Sequence, residues 1–418
     1  MSFFEIIAVL ITLSALLSYI NFKLIKLPST IGLMALALLL SIGLNIAGNI
    51  WPDIISSAKS FLELVDFNQA LLHGMLAFLL FAGALHVNIS QLSEQKIPII
   101  LLAIFGTLAS TIIVGLLMYW LLNILDIHIS LIYCLLFGAL ISPTDPIAIM
   151  GILKVLGTPK DLEIKIVGES LFNDGVSVVL FLGILEITSG TQEISISHLL
   201  TMFVTEAIGG ALFGLVTGYI AYYMLKSVDN YQVEILISLA LVMGGYALAE
   251  RIHISAPIAM VVAGLLIGNH GRAFAMSNNT REHLDNFWEL LDDILNAVLF
   301  VLIGLEVLAL TVNKHYLLDG LIAIPVVMLA RWISVAVPLT CMRIKREFVP
   351  HSIKILTWGG LRGGISVALA LSLHDTIGKE NEFAFETILR MTYVVVIFSI
   401  LIQGLTIGPL VKKLYAKI

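Results

Sequence analysis

Charged side chains are scarce in this sequence. Asp, Glu, Lys and Arg make up 12% of the 418 residues, about half of the ~25% that is usual in soluble domains. Hydrophobic residues reach 59%, and the mean hydropathy is +1.02. Apolar runs of about 20 residues, long enough to cross a bilayer as helix, recur from end to end. These features exclude an ordinary soluble domain and predict an all-α polytopic membrane protein.

Cysteine is nearly absent as well. Cys134 and Cys341 both lie in apolar segments, and their spacing matches neither a zinc site nor a haem attachment site. A disulfide framework is therefore excluded, and packing roles are expected. The first apolar run carries no basic residue in front of it, which favours a retained first span over a cleaved signal peptide.

Hydropathy in windows of about 19 residues predicts thirteen transmembrane helices. The stretch 48–68 is too polar to span the bilayer, and we expect an interfacial loop there. The predicted spans lie near residues 3–20, 28–47, 69–89, 97–123, 130–153, 164–187, 197–225, 231–250, 254–269, 287–310, 315–342, 352–374 and 384–411.

Basic residues are unevenly shared between the two sets of loops that this count creates. One set holds sixteen Lys and Arg and the other holds four. By the positive-inside rule, the C-terminus is predicted to be cytoplasmic and the N-terminus outside, in the cell (inner) membrane. The remaining three basic residues, Arg331, Arg362 and Arg390, lie within spans. An isolated charge at mid-span costs at least about 2.5–3.5 kcal/mol, so Arg331 should face a polar interior or a carboxylate.

Two spans carry interruptions. In ISPTDPIAIMG, Pro143 and Pro146 bracket Thr144 and Asp145, and two prolines this close should unwind the helix. Freed carbonyls together with the Asp145 carboxylate would suit a hard cation. In TWGGLRGGISVALAL, four glycines weaken the helix around Arg362.

A third segment, GESLFNDG, places polar groups within two turns of an otherwise apolar helix. Glu169, Ser170, Asn173 and Asp174 are three or four residues apart, so they form one stripe of a continuous helix. Such a stripe must face the bundle interior, because lipid offers it no partner. We predict an ion or proton site at Asp174 and an arginine partner for Glu169.

The order of the spans predicts two inverted repeats. If spans 1–6 and 8–13 form two halves, the single span between them gives the halves opposite topology. The interrupted spans are then the fifth of each half, and paired interruptions of this kind mark the mid-membrane site of transporters. We therefore predict one transporter domain, 1–418, with repeat one at about 3–187, a linker helix at about 197–225 and repeat two at about 231–411.

At these motifs the chain resembles the cation/proton antiporter superfamily and, within it, the NhaP-type sodium/proton antiporters related to the animal sodium/proton exchangers. The resemblance covers nearly the whole chain through SPTDPIAI, GESLFNDG, LARWISV and WGGLRGGISVALAL. It implies crossed unwound helices, and a six-helix bundle that moves against a scaffold forming a homodimer. It also implies exchange of Na⁺ or Li⁺ for H⁺ by alternating access, with no enzymatic activity and no cofactor.

The resemblance also implies roles for individual residues. Asp174 matches the aspartate that alternately takes a proton or the cation, and Thr144, Asp145 and Ser170 match residues of the cation site. The pair formed by Asn173 and Asp174 is typical of the electroneutral branch.

Three further residues have supporting roles in this resemblance. Glu169 resembles a glutamate that forms a buried ion pair with an arginine of the eleventh span, here Arg331, although Arg362 stays open as its partner.

Some relatives add a carboxylate from the third span, but this chain has no acid between Asp66 and Glu94.

Other functions remain open from the sequence. K⁺/H⁺ exchange is the nearest alternative, because cavity size and ligand number separate Na⁺ from K⁺ and neither can be read from the residues. An intramembrane aspartyl protease would use Asp145 and Asp174 as its acid/base pair, but that class places its aspartates in YD and GxGD contexts, unlike the TD and ND found here. A cation channel would use the same acids without proton coupling.

Overall fold

A computed structural model describes residues 3–48, 69–188, 196–308, 317–344, 348–378 and 381–415, together with single positions between 50 and 67. These residues are almost entirely helical, as the composition predicted. The described residues contain one isolated antiparallel β-bridge, between Asp145 and Leu361.

Ten α-helices with defined bounds lie in the described residues up to position 226. Their sequences are rich in Leu, Ile and Ala, and in a bilayer a helix satisfies its own backbone hydrogen bonds. They are α1 (Phe3–Ile20), α2 (Ser29–Gly48), α3 (Leu76–Leu85), α4 (Ile89–Glu94), α5 (Lys96–Ile100), α6 (Thr107–Ile124), α7 (Leu131–Ile141), α8 (Ile147–Leu156), α9 (Lys160–Thr188) and α10 (Ile196–Lys226).

The described residues after position 230 contain nine more, which are α11 (Tyr231–Arg251), α12 (Ala256–Leu266), α13 (Arg272–Phe274), α14 (Asn278–Glu306), α15 (Leu317–Met342), α16 (Ser352–Trp358), α17 (Gly364–Leu373), α18 (Glu382–Phe398) and α19 (Gly404–Tyr415). Short π-helical turns continue several of these helices, at Asn21–Ile25, Gln69–Met75, Leu101–Gly106, Ile267–Gly271, His374–Gly378 and Ser399–Gln403.

Every predicted span contains helix among its described residues. Among the described residues, eight helical runs are long and apolar enough to cross a membrane, and three shorter apolar helices lie at other predicted spans. The count of thirteen stays a prediction.

Two expectations need correction. The helix of the tenth span begins at Asn278 and not near 287, because the Ser277 hydroxyl caps it. Much of 48–68 lies outside the described residues, but the described positions 53, 56, 58, 60–62 and 67 are helical rather than loop.

Glycines bring neighbouring helices into close contact. Gly210, Gly214 and Gly218 of α10 lie against α12, and a Cβ added to Gly210 would stand 2.5 Å from the Ser255 carbonyl oxygen. The small-residue ladder of α10 therefore serves packing within the chain. Near the C-terminal end of α14, Gly304 meets Ala37 of α2 in the same way. Helix α9 contacts both interrupted spans, at α7 in the fifth and α17 in the twelfth, and the twelfth span also contacts α14 and α15.

Candidate functional site

Both predicted interruptions are present and they meet. Helix α7 ends at Ile141 and α8 begins at Ile147, so the segment between Pro143 and Pro146 is unwound, as expected from proline. In the twelfth span, α16 ends at Trp358 and α17 begins at Gly364. The Asp145 amide donates a 2.7 Å hydrogen bond to the Leu361 carbonyl. Non-helical backbone is thus buried inside protein, where it is tolerated at membrane depth.

Arg362 donates hydrogen bonds to backbone carbonyls of the unwound segment, which have no helical partner there. Its Nη1 donates to the carbonyls of Ser142, at 2.5 Å, and Pro143, at 2.9 Å, and its own amide donates to the Ser399 hydroxyl at 2.9 Å. The side chain is 2% exposed. The sequence suggested that the freed carbonyls would face a cation. The carbonyls of Ser142 and Pro143 accept hydrogen bonds from the Arg362 guanidinium, and cation binding by freed carbonyls stays a prediction.

Glu169 and Arg331 form a buried ion pair. Both guanidinium Nη atoms of Arg331 bind the Glu169 carboxylate, and the second contact, Nη2 to Oε2, measures 3.0 Å. Arg331 also donates to the Leu356 carbonyl from Nε at 3.3 Å and from Nη2 at 3.0 Å. Of the two partners that the sequence left open for Glu169, the structure therefore selects Arg331. A bidentate pair of this kind is the geometry that makes a buried salt bridge tolerable.

Thr144 joins the unwound segment to α9. Its hydroxyl lies 2.9 Å from the Ser170 hydroxyl and accepts a 3.0 Å hydrogen bond from Nδ2 of Asn173. The Thr144 amide in turn donates to Oδ1 of Asn173 at 3.4 Å. All three side chains are buried. The Asn173 amide thus holds the unwound segment against the polar stripe of α9.

Asp145 and Asp174 line one cavity of about 100 Å³, together with Thr144. Oδ1 of Asp145 accepts the amide of Ile147 at 2.8 Å, which caps the start of α8. The Asp174 side chain is 8% exposed. Within the part of the chain that the structure describes, Asp174 has neither an ion-pair nor a hydrogen-bond partner. The predicted site residues are therefore gathered together, and this carboxylate is left available to a ligand.

The apolar wall of the cavity comes partly from the third span, through Leu71, Leu76, Leu79, Leu80 and Gly83. Apolar walls lower the local dielectric around the carboxylates and strengthen their attraction for a cation. Hard monovalent cations prefer oxygen ligands, and Asp174, Asp145 and Thr144 supply carboxylate and hydroxyl oxygens to this cavity. Ser170 is not among the residues that line the cavity, but its hydroxyl contacts that of Thr144.

The sequence and fold of this chain are similar to those of known proteins. The model of the family described as "Sodium/hydrogen exchanger, transmembrane" matches residues 11–413. The chain belongs to the sodium/hydrogen exchanger family. Members of this family are transporters.

Relatives within this exchanger family are close. The chain is 49% identical to the Na(+)/H(+) antiporter NhaP of Pseudomonas aeruginosa, covering 99% of this chain and 97% of that one. It is 35% identical to the Na(+)/H(+) antiporter NhaH of Halobacillus dabanensis, covering 94% and 93%. Its fold matches the structure of the sodium proton antiporter MjNhaP1 from Methanocaldococcus jannaschii at pH 8, with a TM-score of 0.78, 22% identity and 99% coverage of each chain.

Sequence reasoning missed three polar residues of the cavity. Asp292 and Asn296 of α14 and Ser366 of α17 all line it. They fall outside the motifs, but a signal was present, since Asp292 and Asn296 are four residues apart in a predicted span. Polar residues at that spacing share one helix face, which should have been placed toward the bundle interior.

Proposed function

We propose that this protein is a secondary active antiporter that exchanges Na⁺, or Li⁺, for H⁺ across the cell (inner) membrane. Membership of the exchanger family and the names of its relatives at 49% and 35% identity support Na⁺ over K⁺ as the cation. The observation that carries the proposal is the position of Asp174, a buried carboxylate that faces a cavity beside Asp145 without a cationic partner among the described residues.

Competition at this carboxylate couples the two ion fluxes. Asp174 holds either a proton or a dehydrated cation, and an uncompensated carboxylate buried in the protein costs several kcal/mol. The conformational change that exposes the site to the other side therefore proceeds with one ion bound and not with an empty site. Asp145, Thr144 and Ser170 complete the cation shell. Because Asn173 is neutral, one positive charge crosses in each direction, and exchange is electroneutral.

The remaining site residues position this shell. Asn173 holds Thr144 through its amide, and Arg362 binds the carbonyls of the unwound segment. Glu169 and Arg331 neutralise each other and tie α9 to α15. The two interruptions consequently behave as one rigid unit around Asp174.

The same proposal includes the architecture of the transporter. Repeat one covers about 3–187 and repeat two about 231–411, with opposite topology, and the helix at about 197–225 links them. A bundle carrying the site moves against a scaffold that pairs with a second copy to form a homodimer. The N-terminus lies outside and the C-terminus in the cytoplasm, on the strength of the loop charges.

Purified protein in acid-loaded liposomes tests this function. Addition of Na⁺ or Li⁺ should cause recovery of a quenched pH-sensitive dye, whereas K⁺ should have little effect. A larger response to K⁺ would instead identify a K⁺/H⁺ exchanger, and cation flux without proton movement would identify a channel. Repeating the assay under an imposed potential tests electroneutrality, because the rate of an electroneutral exchanger does not depend on voltage.

A further inference from the structure

Asp292 and Asn296 bring a second set of polar groups to the cavity from a different helix. Both lie on α14, outside the interrupted spans and outside α9, and both line the cavity that contains Asp145 and Asp174. Their spacing of four residues places them one turn apart on the same face. Asp293, the next residue along the chain, is exposed and is not part of the cavity wall.

Asn296 is buried without a partner. It is 3% exposed, and neither its Nδ2 nor its Oδ1 has a hydrogen bond with any described residue. The Asn296 side-chain amide lies near the Asp292 carboxylate, but the two groups are not positioned with the geometry of a hydrogen bond. Ser366, which also lines the cavity, is 1% exposed, and its hydroxyl is likewise unpartnered among the described residues. Buried polar groups are nearly always paired, and an unmade bond costs about 1–3 kcal/mol, so a ligand or its water is expected here.

The charges in this cavity point to a cation. Asp292 lies close enough to Asp145 for their charges to repel, and Asp145 repels Asp174 in the same way. The nearby guanidiniums are engaged elsewhere, since Arg331 binds Glu169 and Arg362 binds the carbonyls of Ser142 and Pro143. Carboxylates gathered in a low-dielectric cleft concentrate cations there.

We propose that Asp292 and Asn296 form a second cation position in the cavity, where a partly hydrated monovalent cation waits before it reaches Asp174 and Asp145. This position deepens the proposed antiport and rests on it. The cavity has room for several waters beside an ion. The unpaired oxygen of Asn296 and the hydroxyl of Ser366 bind the ion or its water, and the Asp292 carboxylate attracts it. Asp292 is one turn nearer than Asn296 to the N-terminus of α14, the end that the loop charges place in the cytoplasm.

The dependence of exchange on Na⁺ concentration tests this position in liposomes. Asp292→Asn should raise the apparent KM for Na⁺ by about three- to tenfold, because the local cation concentration falls, while the maximal rate at saturating Na⁺ stays within about twofold. Asn296→Ala should shift KM in the same direction. Asp292→Glu should restore most of the affinity. Asp293→Asn removes the same charge from the neighbouring exposed position and should leave both parameters unchanged.

Two outcomes of this assay overturn the proposal. Equal KM values for Asp292→Asn and Asp293→Asn would show that Asp292 does not attract the ion, and loss of exchange by Asp292→Asn at saturating Na⁺ would place it in the transport site itself. Absence of exchange by the unsubstituted protein would instead refute the proposed function.

A binding measurement in detergent makes the test independent of transport. Sodium chloride, compared with choline chloride, should still raise the melting temperature of Asp174→Asn, because the second position remains. The double variant Asp174→Asn with Asp292→Asn should lose this rise. Equal shifts in the two variants, including no shift in either, would overturn the second position whether or not the protein exchanges ions.

Discussion

The amide of Asp145 donates a 2.7 Å hydrogen bond to the carbonyl of Leu361, and this bond joins the two interrupted spans. It orients the residue whose carboxylate shares a cavity with Asp174. Arg362, the residue after Leu361, binds the carbonyls of Ser142 and Pro143 on the same unwound segment. Backbone and side-chain bonds thus run between the interruptions, and the site depends on both.

Asp174→Asn should abolish exchange and leave folding intact. The amide has a similar volume, but it cannot carry a proton or balance a cation. Dye recovery in liposomes should disappear with Na⁺ and with Li⁺, and the variant should elute as a single peak in detergent. Cation-driven proton movement that persists in this variant would show that another group carries the coupled ions.

Glu169→Ala should destabilise the protein more than Asp174→Asn does. Removal of Glu169 leaves Arg331 buried without its carboxylate, which costs about 3–5 kcal/mol. Thermal unfolding in detergent measures the difference. Glu169→Leu combined with Arg331→Met should recover part of the loss, because both charges are then absent. Equal melting temperatures for Glu169→Ala and Asp174→Asn would contradict the importance of the pair.

Gly363→Ala should impair the site through a steric collision. An added Cβ on Gly363 would stand 2.7 Å from Cβ of Asp145, closer than side chains pack. We expect a loss of about 1–3 kcal/mol in stability and a higher KM for Na⁺. Gly151→Ala on α8 is the matched control, because nothing lies within 4 Å of its added Cβ. Identical behaviour of the two variants would mean that Asp145 moves aside without cost.

Asn173→Ala should weaken cation binding through Thr144. The change removes the amide that bonds the Thr144 hydroxyl and backbone, and the groups left unpaired cost about 1–3 kcal/mol. Na⁺ titrations of exchange should give a raised KM. Asn123→Ala is the control at a partly exposed position, and its stability should change by less than about 0.5 kcal/mol. An unchanged KM for Asn173→Ala would remove Asn173 from the positioning shell.

Lowering the pH should raise the apparent KM for Na⁺ without changing the maximal rate. Each cation bound at Asp174 displaces one proton, so KM should rise by up to about tenfold per pH unit once Asp174 is mostly protonated. Initial rates measured over a grid of pH and Na⁺ concentration check this. A maximal rate that falls with acidity while KM stays constant would indicate separate sites for the two ions.

Local chemistry explains why several features could be predicted from the sequence. Pro143 and Pro146 had to unwind the fifth span whatever surrounds them, and the glycines around Arg362 had to weaken the twelfth. The spacing of Ser170, Asn173 and Asp174 had to place them on one helix face. By contrast, the start of α14 was missed, because a capped helix continues beyond the apolar part of its sequence.

Hydropathy, proline and helical periodicity, all properties of neighbouring residues, were enough to determine an all-α membrane protein with two interrupted helices and a buried acidic stripe. Residues far apart in the chain had to be brought together before the rest was decided. The choice of Arg331 as partner of Glu169, the binding of carbonyls by Arg362, and the approach of Asp292 and Asn296 to Asp174 all depend on how separate helices pack. Periodicity within one helix says which face is polar, but it cannot say which other helix that face meets.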